Sequence, residues 1–517
     1  MFRRLGPTTA VVVTFICVGC VAAALRPEVS SATVCLLTLL HTNDTHGHLL
    51  PFSYPETYDA GSVLALLPSR RHIGGIARRS SLVASVRREP GRHVLLLDAG
   101  DFCDGTPFST EYRGEADIAA MNTAGYDAGC PGNHELNNTI AQVRKLISQA
   151  GFPMLCANVA DTTTGSYPFR PYTVRKVGHV RIALFGLMTP DARNYPAARE
   201  GLRVAPPLET AARLVPLLRR EADLVVALSH LGIDEDRKLA VAVDGIDVII
   251  GGHSHTYLHA PFLVGRPPGP SRTAVSGTVI AHAFEWGAVL GRLDLRVLRT
   301  SPKRWQLARY WGRPIPVTSS IPPDPLVART VETYWKPIRA TYSRQIGIAA
   351  ADFAQKGHDR AEYNLVADAV REATGRQIAF ENLGGVRAPL VRGPITYGDL
   401  VTMDPFNNTI VTMQLRGADI RKLLVARRPA VSGLRYVLDG GRLIEATVGG
   451  TPLDDDARYE CVTNSYFARD ELFSGGENRA NLQMTRLEAI IQYIAKRGTV
   501  RPAYDARRVV RATPDAY

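Results

Sequence analysis

Val34-Cys35-Leu36-Leu37-Thr38-Leu39-Leu40 runs straight into His41-Thr42-Asn43-Asp44-Thr45-His46-Gly47-His48. A short apolar run that stops at polar residues reads as a buried strand. Its polar sequel carries carboxylate, imidazole and amide side chains together. Asp44 and His46 are two residues apart, so an extended strand end turns both to the same side. The arrangement recurs along the chain. Asp98-Ala99-Gly100-Asp101 follows the run Val94–Leu97, and Gly132-Asn133-His134-Glu135 comes next. Ser229-His230 ends the run Leu224–Leu228, and Gly251-Gly252-His253-Ser254-His255 ends Val248–Ile250. In open α/β sheets, ligands sit beyond the carboxyl ends of strands. Each segment starts where an apolar run stops, so all five can face one cleft.

Between these runs, Gly114–Ala124, Asn138–Ala150 and Leu208–Glu221 carry helical patterns, and Arg181–Leu187 reads as a further strand. Such alternation indicates an α/β layered domain. The texture changes at Ile321-Pro322-Pro323-Asp324-Pro325, a proline-rich break. Leu326 to Ser343 then has helical periodicity, with Asp324 as its cap. A second, α+β domain begins near Ile346, with a helix at Asn364–Thr374 and strands at Ile410–Leu415 and Tyr459–Thr463. No repeat or low-complexity tract interrupts it. At 517 residues, the chain is too long for one hydrophobic core.

Hydrophobic residues make up 45% and charged residues 21%, as in a soluble globular protein. The formal net charge of +12 is spread over scattered Arg rather than long basic runs, so it does not imply nucleic-acid binding. Arg3 and Arg4 precede an apolar run from Thr8 to Leu25, and small residues follow, the layout of a secretory signal peptide. Membrane contact is expected only if this segment stays uncleaved or if Cys20 of Val18-Gly19-Cys20 is lipidated. No later segment is long and apolar enough to span a bilayer. Besides Cys17 and Cys20, the chain has Cys35, Cys103, Cys130, Cys156 and Cys461, with no CxxC pair among them. Export permits disulfides. Cys103 and Cys130, each close to a motif residue, are the expected bridge.

Mixed carboxylate, imidazole and amide ligands suit divalent first-row metals. Two such ions a few ångströms apart can clamp a phosphate and activate water. The five segments, in this order, resemble the calcineurin-type metallophosphoesterases and, more narrowly, the secreted 5′-nucleotidase and UDP-sugar hydrolase family. The likeness covers nearly all of the mature chain. It implies a four-layer α/β/β/α sandwich, joined by a helix to a second α+β domain. The corresponding boundaries are a signal peptide at 1–32, a metallophosphoesterase domain at 33–315, a linker helix at 316–345 and a substrate-binding domain at 346–517.

Carried over residue by residue, the resemblance implies that one ion is held by Asp44, His46 and His255. The other is held by Asn133, His230 and His253, with Asp98 bridging the two. His134 is then no ligand but a general acid beside the phosphate. His72 and Gly74-Gly75-Ile76-Ala77-Arg78 also fit the pattern, Arg78 in a structural role. One position departs from it. The family reads Gly-Asn-His-Glu-Phe-Asp, and here Leu136-Asn137 ends the motif. The missing Asp orients the catalytic His, so Asn137 leaves His134 with a weaker hold on its proton. A slower enzyme, or one with a more acidic optimum, is expected, and Asn137→Asp should change the rate or the pH profile.

In the second domain, Asn382-Leu383-Gly384-Gly385-Val386-Arg387 resembles the family loop whose Asn and Arg contact substrate. Pro405-Phe406-Asn407-Asn408 resembles the loop with one aromatic wall for the base. Asn464-Ser465-Tyr466 resembles the other wall, although Phe467 can also serve, because Arg469–Phe473 looks inserted. Glu477 of Gly475-Gly476-Glu477 stands where the family has a ribose-binding Asp, and Arg360 is a candidate second phosphate-binding Arg. The substrate implied is a small nucleotide, most simply a nucleoside 5′-monophosphate, hydrolysed in the periplasm, outside the cell or at its surface. Nucleotide sugars, dinucleotides and 2′,3′-cyclic nucleotides are the alternatives within the chemistry. Sulfonate-cleaving relatives alter the Gly-Asn-His segment, which this chain keeps. A nucleotide-binding protein with lost turnover is the alternative of another class, favoured only by Asn137.

Overall fold

A computed structural model describes residues 33–56, 67–265, 275–302, 304–353, 355–356 and 359–511. The expected signal peptide, with Cys17 and Cys20, lies outside them. The first strands are β1 (Val34–Thr42), β2 (Arg92–Asp98) and β3 (Ala128–Gly129). They are followed by β4 (Tyr172–Val177), β5 (Val180–Met188), β6 (Leu224–His230) and β7 (Val248–Gly251). Then come β8 (Phe262–Gly265), β9 (Gly277–His282), β10 (Val289–Ser301) and β11 (Arg304–Gly312). One sheet has the order β11-β10-β1-β2-β3, with Ile315–Pro316 added beside β10, and the other β8-β9-β7-β6-β5-β4.

The sheets face each other across one apolar layer. Leu37, Leu39, Leu95 and Leu97 of the first meet Ile182, Leu184, Val226, Leu228, Val248 and Ile250 of the second, all essentially inaccessible to water. Strands buried on both faces explain the unbroken apolar runs of the sequence. Each such side chain contributes about 1.5–3 kcal/mol of transfer free energy. The alternate residues pack outward. Leu40 and Leu96 meet α1 (Ile76–Arg87), α2 (Glu115–Ala124) and α3 (Ile140–Gln149). Phe185, Val225 and Ile249 meet α4 (Pro207–Glu221) and α5 (Ile233–Ala242). The result is the expected four-layer α/β/β/α sandwich.

Register decides where the polar segments lie. Thr42 pairs with Asp98 across parallel β1 and β2, and Asp98 pairs with Gly129 on β3. In the other sheet, Met188 pairs with His230, Ser229 with Gly251, and Gly251 with His282. The carboxyl ends of both sheets are therefore flush, and their loops share one rim.

Helix α6 (Pro325–Tyr342) leaves this domain, capped by Asp324, whose side chain accepts from Leu326 N and Val327 N. Its last residue, Tyr342, donates to Glu111 of the first domain at 2.6 Å. Beyond it, α7 (Ala361–Thr374) and α8 (Arg486–Arg497) pack on a sheet of β12 (Ile378–Glu381), β13 (Thr409–Arg416), β14 (Ala430–Ser432), β15 (Arg458–Asn464) and β16 (Glu477–Thr485). Its order is β14-β12-β15-β13-β16. The expected Cys103–Cys130 bridge is absent. Both cysteines are free and buried, and Cys130 Sγ turns to the carbonyls of Pro131 and Leu187 instead.

Candidate metal centre

Three groups of ligand-type atoms converge at the shared rim: Asp44, His46 and His255; His46, Asp101 and His134; and Asp101, His230 and His253. The atoms within each group lie within 4.8 Å of one another. The Nε2 atoms of His46 and His255 are 3.1 Å apart. Asp44 Oδ1 lies 3.6 Å from His255 Nε2. Asp101 Oδ2 is 3.0 Å from His230 Nε2 and 4.0 Å from His46 Nε2.

Asp101, not Asp98, is common to two of these groups, with His46 and His134 in one and His230 and His253 in the other. Asp98 ends β2 inside the sheet, and its oxygens accept from Thr42 Oγ1 at 2.6 Å and Gly100 N at 2.9 Å. It belongs to none of the three groups. The chain passes Gly100 in a left-handed turn (φ 93°), where a Cβ would lie 2.6 Å from Gly132 N and 2.8 Å from His230 Nδ1. That turn lifts Asp101 over the strand end. Glu135 then locks the loop, accepting from Asp101 N, Cys103 N and Gly132 N. Asp101 follows a glycine beyond the apolar run, whereas Asp98 closes it; that was the signal in the sequence.

The imidazoles are oriented through their other nitrogens. His46 Nδ1 faces the Asp104 carbonyl at 3.1 Å, His230 Nδ1 faces the Ala99 carbonyl at 2.7 Å, and His255 Nδ1 meets Glu285. This is the outer-shell pattern of metal-ligating histidines. Asn133 Nδ2 donates to Tyr195 Oη at 2.7 Å, while Asn133 Oδ1 is buried without a hydrogen-bond partner. A buried acceptor left over beside clustered imidazole nitrogens fits a divalent cation. Burial, with His134 beside it, holds His46 well below the usual imidazole range. Burial pushes the Asp101 carboxyl up, but His230, His134 and His46 outweigh it and hold it well below the usual carboxylate range. Asp44, His46, Asp101, His253 and His255 all have positive φ. Strained backbone of this kind clusters at functional sites.

His134 shares one of the three groups with His46 and Asp101. Its Nδ1 is 2.6 Å from Asp104 Oδ2, and Asn137 Nδ2 donates to that same oxygen at 2.8 Å. The expected loss of a carboxylate partner at Asn137 is therefore corrected. Burial alone would lower the His134 pKa, but Asp101 and Asp104 raise it.

Arg387 reaches across from the second domain, its Nη2 3.5 Å from His46 Nε2. The loop behind it is fixed from below. Arg486, fully buried, holds Asp404, Glu381 and the Gly385 carbonyl. Asn382, Asn408 and Tyr466 share one end of the sheet, linked by Asn464 Nδ2 to Asn382 Oδ1 at 2.9 Å and Ser465 Oγ to Asn408 Oδ1 at 3.3 Å. Phe406 is half-buried on the same loop as Asn408. Tyr466 is 63% exposed, whereas Phe467 is buried edge-on against Phe473. Of the two adjacent rings, only Tyr466 is open to solvent. Arg360 lies over the ring of Tyr363, whose hydroxyl accepts from Gly384 N at 2.7 Å.

Glu477 does not join them. It pairs with Gln414 near the far end of β13, while Thr409 at the near end pairs with Thr485. At about 3.3 Å per residue, the two ends are roughly 17 Å apart. Glu477 is instead ion-paired to Arg458 at 2.5 Å. Two short 3₁₀ turns, Phe467–Arg469 and Glu471–Phe473, separate Tyr466 from the Gly-Gly-Glu stretch.

Residues 37–257 match the calcineurin-like phosphoesterase family, and residues 340–474 match the 5′-nucleotidase C-terminal domain. The crystal structure of a 5′-nucleotidase precursor from Thermus thermophilus superposes with a TM-score of 0.81 at 31% identity, covering 93% of this chain and 100% of that one. The chain belongs to the 5′-nucleotidase family. Protein UshA of Yersinia enterocolitica is 28% identical over 84% of this chain and 85% of its own length. The 5′-nucleotidase of Bos taurus is 28% identical over 91% and 90%. A sulfate thiohydrolase SoxB of Thermus thermophilus shares the fold, with a TM-score of 0.77 at 24% identity. As a member of this family, the chain is a metal-dependent phosphoric ester hydrolase.

Proposed function

We propose that the chain hydrolyses nucleoside 5′-monophosphates to nucleoside and phosphate, with two divalent ions at the rim of the sandwich. Asp44, His46 and His255 would hold one, and Asn133, His230 and His253 the other, with Asp101 shared. The observation that carries this reading is Asp101 Oδ2, lying between His230 Nε2 and His46 Nε2 at 3.0 Å and 4.0 Å. A pair of such ions polarises phosphoryl oxygens and lowers the pKa of water.

The protein's own groups have separate tasks. Arg387, with its planar fork of N–H donors, binds phosphate oxygens and brings the second domain onto the site. His134, with Nδ1 committed to Asp104, presents Nε2 to the leaving oxygen and can give it a proton. Tyr466 offers a face for the base, and Phe406, on the same loop as Asn408, is the candidate for a second. Stacking of that kind is tolerant of base identity and contributes about 1–3 kcal/mol per base. Asn382 and Asn408 supply polar contacts around the same end of the sheet, and Arg360 adds positive charge behind them. The two domains close on substrate by motion at the linking helix, in the manner of other gated enzymes. The reading as a binding protein without turnover loses its support, because Asp104 supplies the charge that Asn137 lacks.

The Arg3-Arg4 start and the apolar run to Leu25 support export. Among the described residues no helix is long and apolar enough to cross a membrane. A phosphate-release panel with Mn²⁺, Zn²⁺, Co²⁺ or Ca²⁺ tests the activity, using AMP, UDP-glucose, a 2′,3′-cyclic nucleotide and bis(p-nitrophenyl) phosphate. AMP should turn over fastest. Absence of turnover with every metal and substrate would refute the reading.

A further inference from the structure

We infer that Asp104 is the positioning carboxylate of His134, and that Asn137 is its orienting partner rather than a weakened substitute. The inference rests on the phosphohydrolase reading above. His134 Nδ1 and Asp104 Oδ2 are 2.6 Å apart, with side chains 10% and 17% exposed. Asn137 Nδ2 donates to the same Oδ2 at 2.8 Å. The Asp104 amide donates to Ser109 Oγ at 2.7 Å, which anchors the backbone that carries the carboxylate. The residue also joins two parts of the site. Its carbonyl receives His46 Nδ1 at 3.1 Å while its carboxylate receives His134. It sits at φ 72°, in the left-handed region it shares with Asp44, His46, Asp101, His253 and His255.

The chemistry makes positions 104 and 137 interdependent. A carboxylate at Nδ1 fixes one tautomer and leaves Nε2 toward the phosphate, the role such a group plays in histidine-centred sites generally. Only one carboxylate fits. An Asp at 137 beside Asp104 would put two negative oxygens within hydrogen-bond distance, where like charges disfavour each other. The amide of Asn137 instead donates to Asp104 and pins its orientation. Asn137→Asp alone should therefore impair the enzyme, and it should help only when Asp104 has been neutralised.

The test compares the wild-type chain, Asp104→Asn, Asn137→Asp and the double exchange Asp104→Asn/Asn137→Asp, each loaded with Mn²⁺. Asp104→Asn should lower kcat roughly 100-fold, in the range general acid–base groups supply. Asn137→Asp should be slower than wild type. The double exchange should recover at least about tenfold over Asp104→Asn. Metal content should be equal in all four. Titration of inorganic phosphate by calorimetry gives a readout apart from turnover: affinity should fall in Asp104→Asn and return in the double exchange. If wild type hydrolyses no phosphate ester, the functional reading fails, and the phosphate titration still decides the role of Asp104. A kcat and phosphate affinity unchanged in Asp104→Asn, no recovery in the double exchange, or loss of metal from Asp104→Asn would each overturn the inference.

Discussion

Replacing Arg486 by Met should unfold the second domain's binding loop and much of its stability together. The guanidinium has no exposed surface and spends its donors on Asp404 at 2.8 and 2.6 Å, Glu381 at 2.7 Å and the Gly385 carbonyl at 2.5 Å. Burial would lower its pKa, but Asp404 and Glu381 raise it above the ordinary guanidinium range. Met fills similar volume and removes the cation, which leaves two buried carboxylates without a counter-charge. Breaking a buried pair in this way costs about 3–5 kcal/mol. At about 2–4 °C per kcal/mol for a domain of this size, the melting temperature should fall by roughly 6–20 °C. Circular dichroism melts of the full chain would measure it. Because Gly385 loses its donor, KM for a phosphorylated substrate should rise as well. Adding Glu381→Gln and Asp404→Asn should restore part of the loss, since neutral amides need no cation. A shift below about 3 °C for Arg486→Met would refute the reasoning, since that is less than 1–2 kcal/mol on the same scale.

Asp101→Asn should lower bound metal and kcat by well over tenfold, whereas Asp98→Asn should keep its metal, because both Asp98 oxygens face protein donors; metal analysis by plasma mass spectrometry separates them. Metal uptake should release protons and tighten with rising pH, by about tenfold per unit for each proton displaced. The reason is that burial would lower the His230 pKa while Asp101 raises it to about 10 in the metal-free site. The sign follows: the His230 contribution to metal-free stability is complete below the unfolded pKa near 6.5 and disappears as pH rises through about 10. Calorimetry in buffers of different ionisation enthalpy checks the proton count, and a pH-independent affinity would contradict it. Phe467→Ala should destabilise by about 3–5 kcal/mol as a core deletion, while Tyr466→Ala should leave stability within about 0.5 kcal/mol and raise KM for nucleotides; urea melts beside AMP kinetics would show the split, and equal destabilisation would place Tyr466 in the core.

The layered fold was legible because the physics behind it is local. Buried strands between two helix layers must be apolar on both faces, so Leu224–Leu228 and Val248–Ile250 announce themselves as unbroken runs. Asp324 before Pro325 marked the start of the linking helix, and the structure caps it there. Ligand-type residues at strand ends were legible for the same reason, since flush registers carry each strand end to the common rim.

What sequence could not give is which of two chemically alike neighbours the backbone selects. Asp98 and Asp101 are both carboxylates at one strand end, and only the left-handed turn at Gly100 decides that Asp101 faces the imidazoles. Tyr466 and Phe467 are adjacent aromatics, and the packing of Phe473 takes Phe467 into the core. Asp104 is the deeper case. It lies 33 residues from Asn137 in sequence, and the two hydrogen-bond where Glu135 ties the Asp101 loop to the Gly132 loop. A carboxylate absent from one motif position was therefore readable as a defect, although the charge had moved to another loop facing the same ring. Electrostatic roles belong to points in space, so a motif reports the residue present at a position and only the packing of loops reports the charge present at an atom.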